Sequence, residues 1–107
     1  MDKYLPQKFH ALGDATRFAV VEQLLNGPAS VSELAKPHDM ALPAFTKHLK
    51  VLETAGLIQS RKRGRVRTCF LETEAMREIH SWIGARKALW EARMDNLASY
   101  LEEDGRS

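Results

Sequence analysis

The feature that most constrains the fold is a long helical pattern near the C-terminal end of the sequence. From Glu74 to Leu101 no proline interrupts about 28 residues, which predicts a helix about 42 Å long at 1.5 Å per residue. Apolar side chains recur along it at spacings of three, four and seven: Met76, Ile79, Ile83, Trp90, Leu97 and Leu101. Such a helix extends beyond the core that 107 residues can build. Part of the apolar stripe is therefore expected to pack against the same helix of a second copy.

The predicted homodimer also uses an N-terminal helix around Tyr4 to Leu12. The residues assigned to the dimer interface are Leu5, Phe9, Met76, Ile79, Ile83, Trp90 and Leu97. Beyond the long helix, Glu102 to Ser107 is expected to be a frayed tail, because chain ends without packing partners are poorly ordered.

Composition and length predict one soluble domain over residues 1–107. The hydrophobic share of 44% and the charged share of 28% are ordinary for a globular protein, and no apolar run is long enough to cross a membrane. The first six residues do not resemble a secretion signal, and the lone Cys69 cannot form an intrachain disulfide. These features favour a cytoplasmic protein.

Charge is distributed unevenly along the chain. Residues 36–67 hold eight Lys and Arg against two Asp and Glu, a net +6, whereas the segments before and after carry −1 and −3. A short basic segment in an otherwise balanced chain is typical of a surface that binds phosphates. The alternative is a charged loop that is only solvated.

Capping signals predict two helices in the first third of the chain. Asp14 can cap a helix that runs to about Asn26, with Phe18, Val21, Leu24 and Leu25 on its inward face. Ser30 and Glu33 fit a capping box that starts a short helix through about Lys36, before Pro37.

The basic segment itself divides into a helix and a hairpin. Leu42 to Ala55 is predicted to be helical, with an apolar stripe of Phe45, Leu49 and Leu52, His48 and Val51 at its margins, and a polar face elsewhere. Gly56 ends this helix. Leu57 to Arg61 and Val66 to Leu71 then suit two strands around a turn at Gly64, where positive φ is free of strain for glycine.

A short helix, a turn and a second amphipathic helix form a helix-turn-helix, whose second helix enters the DNA major groove. The hairpin that follows, about residues 58–71, carries Arg61, Lys62, Arg63, Arg65 and Arg67 and fits a wing. The predicted fold is therefore mainly α with a small β-hairpin: a winged helix-turn-helix that is dimeric through its N- and C-terminal helices. Its predicted partner is double-stranded DNA with a palindromic site.

Nearly the whole chain resembles the ArsR family of regulators. The resemblance is carried by Ala11-Leu12-Gly13-Asp14-Ala15-Thr16-Arg17, by Val31-Ser32-Glu33-Leu34-Ala35, and most specifically by Pro43 to Ile58. It implies a dimeric repressor whose long terminal helices pair at the interface. Two departures matter: Ala41 stands where a serine commonly caps the recognition helix, and Ser30 and Ser32 stand where thiolate metal sensors have cysteines.

Serine hydroxyls are not thiolates at neutral pH, so the family's thiolate metal site is predicted to be absent. His80 on the long helix has no second histidine at the spacing of a zinc site. No metal or cofactor is predicted, and Cys69 is expected to be a small packing residue. The inducing signal is left open.

Individual roles are assigned from position on the predicted elements. Thr46 and Lys47 are candidates for base contacts, and Leu42 and Ala44 for thymine methyl groups. Lys50, Arg63 and Arg65 are assigned to phosphates, and the basic wing as a whole can flank the phosphate backbone or place one arginine in the minor groove. Alternatives stay open: Thr46 could bond its own backbone, Lys50 could be solvated, and Arg17 could reach a phosphate or hold a carboxylate.

Two other functional classes compete with DNA binding. One is a winged-helix module that docks another protein through the long helix, which the basic segment argues against. The other is an enzyme, which is not predicted because the sequence has no glycine-rich phosphate loop, no paired carboxylates beside a plausible cleft and no Cys-His or Ser-His-Asp pattern.

Overall fold

The computed structural model describes residues 5–106, with side chains up to Glu103. This part of the chain forms five helices and three short strands. The elements are α1 (Leu5–Leu12), α2 (Ala15–Leu24), β1 (Ala29–Ser30), α3 (Val31–Ala35), α4 (Leu42–Thr54), β2 (Ile58–Arg63), β3 (Val66–Leu71) and α5 (Thr73–Arg106). The chain divides into two compact units, Met1–Met76 and Arg77–Ser107. A single domain over residues 1–107 stays a prediction.

Helix α1 contacts α2 and α4. Tyr4, at the start of the predicted N-terminal helix, lies outside the described residues. Lys8 is buried in α1. Its Nζ lies close to Gly56, 3.9 Å from the position that a Cβ atom on that glycine would take. Its ammonium therefore lies beside the C-terminal end of α4, where the helix dipole favours a positive charge.

Helix α2 starts where its cap predicts. The Asp14 carboxylate accepts the backbone N–H of Arg17 at 3.1 Å, and the helix ends at Leu24, two residues before the predicted end. Its predicted inward face was partly wrong, because Val20, Val21 and Leu24 are buried, whereas Phe18 is 51% exposed and Leu25 65% exposed. Phe18 and Leu25 lie about 100° around the helix from the centre of that buried face.

The capping box of α3 is present as predicted. Ser30 Oγ accepts the backbone N–H of Glu33 at 3.2 Å, and Glu33 Oε1 accepts the backbone N–H of Ser30 at 3.1 Å. Just before this helix, Ala29 and Ser30 form a strand that the sequence analysis missed. It pairs antiparallel with β3, opposite Cys69 and Thr68, so the predicted hairpin is in fact a three-stranded sheet of order β1-β3-β2.

Helix α4 has the two faces that its sequence predicts. Phe45, Leu49 and Leu52 are buried in the core, as is Leu34 of α3. The helix begins after Ala41, whose extended backbone (φ −64°, ψ 145°) is that of a cap but whose side chain makes no capping hydrogen bond. Gly56 follows the helix with φ 79°, so the chain turns there without strain.

Strands β2 and β3 are joined by the two residues Gly64 and Arg65. Gly64 has φ 62°, which suits the first loop position of a type II′ hairpin, where glycine is preferred. The register pairs Ile58 with Leu71 and Arg63 with Val66, so β2 continues two residues beyond its predicted end at Arg61.

Helix α5 is longer than predicted at both ends. It runs from Thr73 to Arg106, so the frayed tail expected from Glu102 was wrong over its helical part; Ser107 lies outside the described residues. Glu102 and Glu103 are good helix formers, and they continue the helix beyond Leu101. In the second unit α5 carries exposed apolar side chains: Ile83, Leu89, Trp90, Met94, Leu97, Tyr100 and Leu101.

Candidate nucleic-acid interface

The outward face of α4 carries the residues assigned to base contacts. Leu42, Ala44, Thr46, Lys47 and Lys50 are all exposed, over about two turns of the helix. Thr46 Oγ1 donates a hydrogen bond to the carbonyl of Leu42, one turn back. Thr46 therefore bonds its own helix backbone, which was one of the two alternatives. The hydroxyl oxygen can still accept a hydrogen bond on the exposed face.

Two adjoining grooves separate α4 from the strands β2 and β3. One, of about 360 Å³, is lined by Ser30, Val31, Ser32, Leu42, Thr46, Arg65, Val66 and Arg67. The other, of about 240 Å³, shares Val31, Thr46 and Arg67 with it and adds Leu49, Lys50, Glu53, Ser60 and Cys69. Together the two grooves form one trench between α4 and the hairpin. This trench brings together Thr46 and Lys50 from the helix and Arg65 and Arg67 from the hairpin.

The basic residues of the hairpin divide between its two faces. Lys62 is paired with Arg67, and this pair lies two residues along the strands from the pair Ser60 and Cys69. Side chains two residues apart share a face of the sheet, so both pairs face α4. Arg61 and Arg63 line a different depression, with Pro28 and Phe70, on the opposite face. The Arg61 guanidinium lies 5.6 Å from the centre of the Phe70 ring, a cation–π contact. The sequence predicted one basic cluster, whereas alternation along the strands produces two.

A chain of hydrogen bonds connects the hairpin to α4. Ser60 Oγ donates to Glu53 Oε1 at 2.7 Å, and Arg67 Nη1 donates to the same hydroxyl at 2.9 Å. Glu53 lies on α4, so this chain fixes β2 and β3 against the helix. The sequence analysis did not predict these hydrogen bonds. The one sequence signal for them was a polar residue, Ser60, at an inward-facing position of β2.

The Arg17 guanidinium contacts α1 and α4 within its own chain, and a phosphate contact stays a prediction. Its Nε donates to the carbonyl of Ala11 at 2.7 Å, and its Nη1 lies 3.2 Å from Nδ1 of His48. The carboxylate alternative is partly met by Asp14, which accepts the backbone N–H of Arg17; this hydrogen bond and, to a smaller extent, the charge of the guanidinium lower the pKa of Asp14. The guanidinium is therefore occupied by α1 and α4.

Residues assigned to the dimer interface differ in how much surface they offer. Leu5 is only 6% exposed in its own chain, so it has little area left for a partner, whereas Phe9 is 37% exposed. On α5, Met76 and Ile79 are half-buried, and Ile83, Trp90 and Leu97 are exposed.

Cys69 is buried in β3, and burial raises the pKa of its thiol above the ordinary value. Among residues whose side chains are described, no group of three or more His, Cys, Asp or Glu side chains could hold a metal ion. Along the described stretch, no helix combines the length and apolarity that a membrane span requires.

Known proteins share both the sequence and the fold. The helix-turn-helix domain family matches residues 12–61. The HTH-type transcriptional regulator Rv2034 of Mycobacterium tuberculosis is 33% identical over 91% of this chain and 88% of its own length. The ArsR family transcriptional regulator RHA00566 superposes with a TM-score of 0.78 and 50% identity, over 83% of this chain and 98% of that one.

A more distant structure shares the fold alone. It is the winged helix-turn-helix DNA-binding domain of Mb0332 from Mycobacterium bovis, described as homodimeric, with a TM-score of 0.64 and 20% identity over 80% of this chain and 82% of that one.

Helix α4, the sheet beside it and the trench between them define a winged helix-turn-helix DNA-binding protein. The protein belongs to the ArsR family of transcriptional regulators. Family members are regulators, not enzymes. From here on α4 is called the recognition helix, and β2 and β3 with their turn are called the wing.

Proposed function

We propose that the protein is a homodimeric repressor that binds a palindromic operator in cytoplasmic DNA. The observation that carries this proposal is the trench between the recognition helix and the wing, which gathers Thr46, Lys50, Arg65 and Arg67 on one concave surface. Its one acidic member, Glu53, already accepts the hydroxyl of Ser60. The trench therefore favours a polyanion such as a phosphate backbone.

In the proposed complex, Thr46 and Lys47 contact base edges, and Leu42 and Ala44 lie near thymine methyl groups. All four are exposed at the N-terminal half of the recognition helix, the part that reaches base edges in helix-turn-helix complexes. Lys50, Arg63 and Arg65 bind phosphates. Arg61, Lys62 and Arg67 add positive charge, although Arg67 also holds the wing against the helix.

The dimer is proposed from the exposed apolar side chains of α5. Trp90, with 61% of its surface exposed, and its neighbours Ile83 and Leu97 would be costly to leave in water. Pairing with a second copy would bury them and would present two recognition helices to two half-sites. The homodimeric state of the Mb0332 domain supports the same assembly.

DNA binding is tested by selecting bound fragments from random duplex DNA and then measuring affinity against salt. A dimer that neutralises about eight phosphates gives a slope of log K against log salt of about −7. A palindromic selected site, and lower expression of a reporter placed behind it, would support the dimeric repressor. If no duplex is bound even at low salt, the protein-docking module becomes the better explanation.

The roles within the interface are tested by substitution. Charge reversal at Arg63 and Arg65 is expected to weaken binding to all sequences, because phosphate contacts carry no sequence information. Thr46→Ala or Lys47→Ala is expected to change which operator is preferred, with about 1–3 kcal/mol of discrimination lost per base contact. Competition assays with the selected operator and its variants distinguish the two classes. Equal losses on every sequence for all four positions would contradict the assignment.

A further inference from the structure

The Arg17 side chain lies where three elements meet. Its Nε donates to the Ala11 carbonyl of α1 at 2.7 Å, and its Nη2 makes a longer contact of 3.5 Å with the His10 carbonyl. Both carbonyls lie in the last turn of α1, where a cation is favoured, and that of His10 also accepts the backbone N–H of Gly13 at 3.0 Å. Its Nη1 reaches Nδ1 of His48, on the recognition helix.

The rest of the boundary between α1 and the recognition helix is incompletely filled. A crevice of about 280 Å³ lies there, lined by Gln7 and His10 from α1, by Lys50, Val51 and Thr54 from the recognition helix, and by Ala55 just after it. The crevice is open to solvent, and along it the side chains of the two helices do not fill the space between them.

We propose that Arg17 is a positioning residue, which holds the recognition helix at a set orientation to α1 through His48. This inference rests on the proposed function. Since α1 also carries Phe9, an exposed side chain of the proposed dimer interface, the Arg17–His48 contact connects dimer assembly to the pose of the DNA-contacting face. Its effect on DNA is indirect, through the orientation of Thr46 and Lys47.

The contact requires one chemical form of His48. A guanidinium only donates hydrogen bonds, so Nδ1 must accept, and the neutral ring then carries its proton on Nε2. The Asp14 carboxylate is 3.6 Å from the same Nδ1, too far for a hydrogen bond. The proposal therefore requires the Nε2–H tautomer of a histidine that lies 31 residues away in the sequence.

A positioning residue and a phosphate contact respond differently to substitution. Lysine keeps the charge that a phosphate needs, but it cannot bond two carbonyls and an imidazole in a fixed planar geometry. We therefore expect Arg17→Lys and Arg17→Met each to weaken operator binding at least about tenfold, with the slope of log K against log salt unchanged.

The matched control is Arg93→Met, which removes the same charge from an exposed position on α5 and should stay within about twofold of the wild type. If Arg17→Lys binds like the wild type, or if Arg17→Met makes the salt slope shallower by about 0.9, Arg17 contacts phosphate and the proposal is overturned.

Substitution of His48 tests the other end of the contact. Asparagine places an oxygen acceptor near the position of Nδ1, whereas leucine removes it. His48→Asn should therefore retain most operator affinity, and His48→Leu should lose as much as Arg17→Met. The Arg17→Met, His48→Leu double variant should bind no worse than the weaker single variant. Losses that multiply would mean the two side chains act independently.

The tautomer can be read without DNA. Nitrogen-15 spectra of the free protein at about pH 8.5, with His48 identified from the His48→Asn spectrum, should show the proton on Nε2 in the wild type and a mixture in Arg17→Met. A wild-type proton on Nδ1 would overturn the proposal even if every variant were poorly folded. Should the wild type bind no DNA, the proposed function fails, while this measurement still decides whether the contact exists.

Discussion

At the scale of single residues, the carboxylates of Asp14 and Glu33 accept backbone N–H groups at the N-termini of α2 and α3. The backbone N–H of Arg17 lowers the pKa of Asp14, and the backbone N–H of Ser30 lowers the pKa of Glu33. Both groups were identified from sequence as cap and capping-box members. Their charged forms are bound more favourably in the folded state than in the unfolded chain.

The pH dependence of folding follows from these shifts. A carboxyl whose folded pKa is depressed stabilises the fold above its unfolded pKa, and the contribution is lost as pH falls through the folded pKa. Asp14→Asn keeps a capping oxygen but does not titrate. We expect the wild type to lose its stability advantage over this variant as pH falls below about 4. Urea unfolding from about pH 7 to pH 2 measures it, and a constant difference across that range would contradict it.

At the scale of elements, the recognition helix lacks a side-chain cap at its N-terminus. Ala41 has the backbone conformation of a cap and no side chain to bond with. The second helical residue, Pro43, has no N–H, so a capping side chain at this position must reach the N–H of Ala44. The resemblance to the ArsR family predicted the missing cap, because a serine commonly stands at this position.

Restoring the cap should stabilise the protein. Ala41→Ser is expected to raise the free energy of unfolding by about 0.5–1 kcal/mol, because serine can accept the Ala44 N–H. Denaturant or thermal unfolding measures the change. The matched control is Ala44→Ser, one turn into the same exposed face, where serine lowers helix propensity and should not stabilise. Equal effects at the two positions would argue against capping as the cause.

At the scale of the whole molecule, α5 leaves apolar surface that one chain does not cover. The exposed Ile83, Trp90 and Leu97 lie on a helix of 34 residues that belongs, from Arg77 onward, to the unit Arg77–Ser107. The hydrophobic effect favours burial of that surface, and a second copy presents the same stripe. The proposed regulator therefore depends on assembly as well as on folding.

Trp90→Glu is expected to yield monomers, since a buried unpaired charge in an interface costs several kcal/mol. Operator affinity should fall with it, because one half-site supplies few contacts. Analytical ultracentrifugation with parallel DNA titration measures both. Ser99→Glu, at an exposed position on the opposite side of the same helix, is the control and should remain dimeric. An intact dimer after Trp90→Glu and after Ile83→Glu would refute the α5 interface.

The sequence by itself determined the features that depend on neighbours within about one turn or one hairpin. The start of α2 at Asp14, the capping box of α3, the two faces of the recognition helix and the glycine turn at Gly64 are all of this kind, because backbone periodicity and capping are local.

Tertiary structure alone decided what depends on which distant segments meet. It paired Ala29 with Cys69 to add a strand, and it joined Glu53 to Arg67 through Ser60. It also directed Arg17 to His48, 31 residues away, and left Phe18 in solvent. A charged or polar side chain can bond to any complementary group within reach, and only the packed chain determines which group that is.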